Sequence, residues 1–428
     1  MSKQNFSLFI SLCLIALSFQ SCMKDTCEAS LRYISYEPVY KTPEEIRHPI
    51  AMEVARDLEN PGKIFYYNNI MLVNEIREGV HFIDNSEPEN PINFGFLPID
   101  GNVDISVSNN ILYADNYMDL LAIDLSNINA PVLVDRIEDV FHNLTFDSEL
   151  GYIVDYTPTQ VTQEIPCSDP YYGYPYFYYG EDVLVAESAS TDGSFNSSDL
   201  ANNNTSPQNG IAGSMSRFAL YQNMLYAIDG ANLQVYDIAQ ANNPDYINQV
   251  PVSWDIETLF PYKNYLFIGS QSGMFIFDNS NASNPTYVSK FEHARACDPV
   301  YVKNDIAYVT LRDGTVCEGF ENQLDVIDVS NLLEPQLIKS YPMLHPHGLT
   351  IQGNYLYLCE GTHGLKVLDI SNNENISTTE YIENFDTYDA IAIPNQPVVM
   401  VIGKDGFYQF DTTDPSDLRQ LSVIPVRQ

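Results

Sequence analysis

Histidine is sparse in this chain, seven in 428 residues, so a gathering of three is the first place to look for chemistry. His345, His347 and His363 fall near one another in sequence, with Cys359 and Glu360 between them. Imidazole and thiolate are the donors of a transition-metal site, and the H-P-H and C-E-G-T-H stretches would offer three of them. Their spacing matches no established zinc signature, and Gly348 after His347 reads as a turn. A second set is mostly acidic: Asp104, Asn143, Arg217, Glu257, Asp298, His347 and Asp389, each just ahead of a short apolar run. Carboxylates brought together there would hold a hard cation such as Ca²⁺ or the hydroxyls of a polyhydroxylated ligand, with Arg217 and His347 setting orientation. No EF-hand-like spacing accompanies them. A third set is aromatic: Tyr171, Tyr172, Tyr174, Tyr176, Tyr178 and Tyr179, within CSDPYYGYPYFYYG. Tyrosine offers a flat apolar face and a polar tip, which suits a platform for glycan, peptide or protein, or a cover for a weak neighbouring unit. No G-x-S-x-G, H-E-x-x-H, Walker or G-x-G-x-x-G motif occurs in a suitable context, so no residue is assigned to catalysis.

The elements that must position these residues are written in a repeated phrase. LLAIDLSNINAP at 120 recurs as VHFIDNSEPENP at 80, LQVYDIAQANNP at 233, MFIFDNSNASNP at 274 and LDVIDVSNLLEP at 324, with looser copies at 365 and 407. The anchoring aspartates are Asp84, Asp124, Asp237, Asp278, Asp328, Asp369 and Asp411, spaced 40, 113, 41, 50, 41 and 42 residues apart. A period near 41 marks a repeat architecture. The gap of 113 holds two periods and an insertion, with a degenerate copy expected at 141–165. Each unit reads as four short apolar runs punctuated by Asn, Asp and Gly. Four strands in about 40 residues make one propeller blade. The expectation is an all-β propeller of four-stranded blades, eight by this count and seven if the degenerate copy is an excursion. The phrase itself is scaffold: its apolar half is the third strand, the Asp holds the following turn through nearby N–H groups, and the Pro opens the edge strand.

The phrase resembles the LVIVD repeat, found in propeller-like lipoproteins of Bacteroidetes-type bacteria. The resemblance runs from about residue 30 to the C-terminus and includes NPGKIF, FIGSQSGMFIFDNSN, LDVIDVSN and KSYPMLHPHGL; the last two copies lack the Pro. It implies fold and location, not an activity. The single tryptophan, Trp254, argues against WD repeats.

In such a ring the positions before each innermost strand face the mouth of a central channel, on solvent-facing loops. They vary between units while the anchor Asp barely changes. Asp298→Ala with Asp389→Ala is therefore expected to abolish binding at little cost in stability, and removal of residues 167–212 to leave a folded ring.

Composition bounds the rest. The formal net charge of −37 disfavours nucleic acid and anionic membrane as direct ligands. Residues 1–21 read as a lipoprotein signal: Lys3, a short apolar run, then SFQSC with Cys22 as the lipidated N-terminus. Residues 22–59 form an anchor and tether, 60–428 the propeller, with a Tyr-rich and polar insertion at about 167–213. The compartment permits disulfides. Cys297 and Cys317 fall on loops of one face and form the expected pair, Cys27 with Cys167 is a second possibility, and Cys359 reads as a buried thiol. The resulting expectation is an outer-membrane lipoprotein, on the periplasmic or cell-surface face, acting as a binding module for a protein or glycan. It touches membrane only through its lipid and needs no cofactor, Ca²⁺ remaining open. The alternatives are a hydrolase or lyase-like enzyme using the acidic mouth, and a structural subunit of an outer-membrane complex.

Overall fold

The structure, a computed structural model, describes residues 28–142, 144–166, 211–214, 216–254, 256–292, 299–312 and 322–427. Cys22, Cys27, Cys167, Cys297 and Cys317 lie outside the described residues, as do the six tyrosines from Tyr171 to Tyr179. Nearly every described element is a strand. The one helix among the described residues is Pro43–Ile46, a single turn closed by a capping box between Thr42 and Glu45. No described helix is long and apolar enough to cross a membrane.

The chain divides into two compact units, Met1–Val39 with Asp155–Val183, and Tyr40–Val154 with Leu184–Gln428. One three-stranded sheet pairs strand Glu28–Lys41 with strand Gly151–Pro166 and ends on the short strand Phe146–Asp147.

The second unit repeats one antiparallel meander of four strands over 61–98, 105–137, 218–251, 256–292, 300–342, 349–382 and 389–425, blades 1 to 7 below. With the three-stranded sheet these make eight sheets. That sheet stands where the degenerate copy was expected, yet the innermost strands of blades 2 and 3 touch one another directly.

Apolar side chains decide this arrangement. The second and third strands are buried on both faces, as near-continuous apolar runs require. Each neighbouring pair of blades shares a core. Phe82, Val107 and Leu121 knit blades 1 and 2, Leu233 and Leu259 knit blades 3 and 4, and Ile83, Met400 and Phe407 join blade 7 back to blade 1. Apolar side chains thus fill the seams between neighbouring blades.

The phrase does what its residue types dictate. All seven aspartates accept the backbone N–H two residues on, at 2.7–2.9 Å. Each turn is an Asx turn, and the Ser or Thr hydroxyl two residues on, then its N–H, hold the carboxyls of Asp84, Asp124, Asp278, Asp328, Asp369 and Asp411 below the usual range. Just before the Asp, every blade has the same bulge between third and fourth strands, which twists the outer edge.

The residue after the Asp is buried in every copy, from Asn85 to Thr412, against the preceding blade. Tyrosines on second strands reach across to that same loop. Tyr113 donates to Ala241 O (2.8 Å), Tyr226 to Asn279 Oδ1 (2.9 Å) and Ala282 O (2.7 Å), and Tyr308 to Asn373 Oδ1 (2.7 Å). At the closing seam the tyrosine is replaced by an amide pair. Asn85 Nδ2 donates to Gln409 Oε1 at 2.9 Å, and Gln409 Nε2 to Asn85 Oδ1 at 2.7 Å.

Candidate functional site

Five of the expected mouth residues are described; Asn143 and Asp298 lie outside the described residues. The five do not form one open ring of side chains. Asp104 and Asp389 each bond one segment, residues 211–214 and 216–217, called the strap below, which carries Arg217. The strap begins as the two-residue strand Ile211–Ala212, antiparallel to the free edge of the innermost strand of blade 1 (Ile211 opposite Tyr66, Ala212 opposite Phe65). It then bonds residues at or near the starts of the innermost strands of blades 2, 4, 6 and 7. Ser214 Oγ accepts Leu349 N–H at 2.8 Å and donates to Asp389 Oδ1 at 3.3 Å. Ser216 Oγ donates to both oxygens of Asp104 at 3.3 and 3.4 Å, and Ser216 O accepts Leu259 N–H at 2.9 Å. Arg217 contributes its backbone N–H, not its guanidinium, to Asp104 Oδ2; its side chain reaches Ile228 O at 3.4 Å.

This overturns the expectation of solvent-facing carboxylates. Asp389 is 0% exposed and Asp104 is buried, because the strap fills the space in front of them. Asp389→Ala therefore alters the interior and is not a surface change of little cost. The strap also corrects the deletion boundary. Residues 211 and 212 pair with the innermost strand of blade 1, so removing 167–212 takes part of the ring away.

Lys63, buried in the innermost strand PGKIFYY, donates to Asp104 Oδ2 at 2.9 Å. Burial pulls its ammonium below the ordinary lysine range, against the pull of Asp104. Asp115 accepts Val103 N–H at 2.8 Å, Asp104 N–H at 2.9 Å and Asn102 Nδ2 at 2.7 Å, and desolvation still pushes it up to about 6. Desolvation holds the Asp389 carboxyl well above the carboxylate range. Its Oδ2 has no hydrogen-bond partner. Gly348 makes this approach possible, since a Cβ there would lie 2.1 Å from Asp389 Oδ1.

His347 goes elsewhere, to the seam between blades 5 and 6. Arg312 donates to His347 Nδ1, and a guanidinium cannot accept. His347 Nε2 therefore carries the proton and donates to His345 Nδ1 at 3.0 Å. The rings meet edge to face, 4.8 Å apart, over Gly361, where a Cβ would fall 2.8 Å from both ring nitrogens. Burial, then Arg312 and His345, push His347 well below the usual histidine range. Glu360 holds the loop by accepting Leu344 N–H (2.9 Å) and His345 N–H (2.8 Å) while paired with Lys366. The donors read together in the sequence are thus dispersed: His363 is exposed on its turn, and Cys359 is a buried thiol packed with Tyr357 and Val401. Among the described residues no three His, Cys, Asp or Glu side chains are placed to hold a metal. Glu257 is half-buried and accepts Gln271 Nε2 at 2.9 Å.

Sequence reasoning missed Lys63, Ser214, Ser216, Arg312 and the placement of Trp254. A lysine inside an apolar strand was a usable signal for the first. Trp254 is 69% exposed, on the connection 252–255 between blades 3 and 4, the same side as the strap's upper end. That side differs from its opposite. The opposite side carries the seven Asx turns of one design. On the Trp254 side the connections between blades range from 252–255 to 138–217, and those between second and third strands from 117–118 to 312–322.

Fold and site together define a β-propeller repeat protein. The LVIVD repeat matches residues 101–139, 261–292, 295–342 and 347–383, so the chain carries LVIVD repeats in four regions. It is similar in structure to a protein from Lactobacillus plantarum, 10% identical, with 88% of this chain and 96% of that one covered at a TM-score of 0.54. That likeness concerns the fold alone. A functionally unknown protein from Desulfotomaculum acetoxidans (11% identity, 85% and 95% covered, TM-score 0.47) also aligns. So does BamB from Moraxella catarrhalis (7%, 89% and 95%, TM-score 0.48). No curated protein matches the sequence.

Proposed function

We propose that the protein is a lipid-anchored, extracytoplasmic interaction module that binds a protein or glycan through the loop side carrying Trp254. The contrast between the two sides of the ring carries this reading. One side repeats a single turn seven times, which the scaffold requires; the other varies its connections between blades and presents a lone, exposed tryptophan. Loops on a rigid frame are where binding residues concentrate, and a solvent-exposed tryptophan is a costly surface residue that suits an anchor at an interface. The anchor reading rests on SFQSC and Cys22, and the acidic surface argues against nucleic acid as the partner. Ca²⁺ at the mouth is not needed for this role.

Two measurements test the proposal. Cys22→Ser should move the protein from the membrane pellet to the soluble fraction; retention in the pellet contradicts lipid anchoring. Because Trp254 is the only tryptophan, its emission reports that loop alone. Titration with solubilised envelope proteins and with envelope glycans should shift it to the blue in one of the two series. Unchanged emission in both contradicts binding at this side.

A further inference from the structure

We propose that His142, fixed by the buried Asp229, and Trp254 form one binding site for a neutral glycan, the indole stacking on a sugar ring and His142 Nε2 accepting one of its hydroxyls. This rests on the reading above and narrows its partner from protein or glycan to glycan.

One turn gathers the site. Residues 229–232 join the second and third strands of blade 3. Val252 N–H donates to Ala231 O at 3.0 Å, so the connection carrying Trp254 is bonded to that turn. Asp229, 4% exposed, holds the chain arriving from blade 2. It accepts His142 N–H through Oδ1 at 3.0 Å and the His142 ring through Oδ2 at 3.1 Å, and Gln234 Nε2 donates to Oδ2 at 3.0 Å. His142 and Trp254 thus flank one turn.

The scaffold alone does not call for the imidazole. In blades 1, 2 and 6 a carboxylate at or beside the end of the second strand does the same task with two backbone N–H groups. Glu75 takes those of Glu59 and Asn60, Asp115 those of Val103 and Asp104, and Glu360 those of Leu344 and His345. Blade 3 puts a ring in place of the second amide. A carboxylate accepts and does not donate, so His142 Nδ1 carries the proton and Nε2 keeps its lone pair. The His142 side chain is 72% exposed, so a buried group holds that lone pair in one direction with most of the ring in solvent.

The class of ligand follows from what stands together. An indole face attracts the positively polarised C–H groups of a sugar ring, and a preset acceptor beside it selects among the hydroxyls. A protein partner asks for more, about 800 Å² on each side around an apolar centre. Among the described residues of this turn and of the segments bonded to it, Trp254 is the one exposed large apolar side chain. The net charge of −37 disfavours an acidic glycan.

The full-length protein, applied to an array of neutral oligosaccharides of glucose, galactose, mannose and N-acetylglucosamine, tests this. At least one should bind, and adding it should shift the ring-nitrogen NMR resonance of His142 Nε2 and not that of His81. His142→Asn keeps a donor for Asp229 but lacks the outward lone pair. It should weaken binding about tenfold with the denaturation midpoint nearly unchanged. Trp254→Ala should abolish binding. Asp229 is a positioning residue: Asp229→Asn can donate to Nδ1, so the ring proton should move to Nε2, read from the same resonances. An array without binding, binding undiminished in His142→Asn, or a proton on Nε2 in the natural protein overturns the inference. Trp254 emission that shifts with envelope proteins alone also overturns it and leaves the reading above standing, whereas emission unchanged in both series is the failure of that reading.

Discussion

Tyr226 and Tyr236 are both buried, in adjacent strands of blade 3, and differ in one respect that decides their worth. The Tyr226 hydroxyl bonds Asn279 and Ala282 O across a seam, while the Tyr236 hydroxyl has no partner. Leaving a buried polar group unmet costs about 1–3 kcal/mol. Tyr226→Phe should therefore lower stability by about 1–2 kcal/mol, and Tyr236→Phe should leave it unchanged or raise it by about 1 kcal/mol, read from denaturant midpoints. Asp115 makes a prediction in pH. Its folded value, about 6, lies above the value of a free carboxyl, so its contribution is present below about pH 4 and is lost as pH rises through 6. Asp115 keeps partial exposure, which screens part of this. Against Asp115→Asn, the natural protein should lose about 1–2 kcal/mol between pH 4 and 7. At this scale Asp104 and Asp389 are each buried behind a serine of one segment, and nothing in IAGSMSRFAL distinguishes that segment from a loop, so those serines are invisible in the sequence.

The blade was the most legible element, because a two-residue period inside a 41-residue period leaves few alternatives. The Asx turn, the opening proline and the double-sided burial all follow from residue types at fixed offsets. What the phrase hid is its next residue, which is buried at every seam and polar at Asn85, Asn279 and Thr412. These polar copies meet Gln409, Tyr226 and Tyr357, each on the preceding blade. Variation at this one position thus marks which blade follows which. The closing seam is the sharpest case. Asn85→Ala strands a buried amide of Gln409 and should cost about 1–3 kcal/mol, and Gln409→Ala the same, but the double variant should cost clearly less than their sum. An additive double-mutant cycle would show that the amide pair does not hold the seam. The count of units depended on 141–165, where strands are present but form a three-stranded sheet with Glu28–Lys41. An N-terminal strand pairing so far along the chain leaves no local signature.

In the whole molecule one side is made by repetition and the other by variation, and the binding proposed above belongs to the second. Repetition is readable in one sequence because the same constraint is written seven times. A binding side is not, since each of its loops is written once, and Trp254 had to be placed before its exposure had meaning. The most direct test puts a photo-crosslinking amino acid at Trp254 and, separately, at Leu333, which is 76% exposed on the Asx-turn side. Both variants are irradiated in the native cells. The account predicts a discrete higher-mass adduct from position 254 and none from position 333. Adducts from 333 alone, or equally from both, would contradict it.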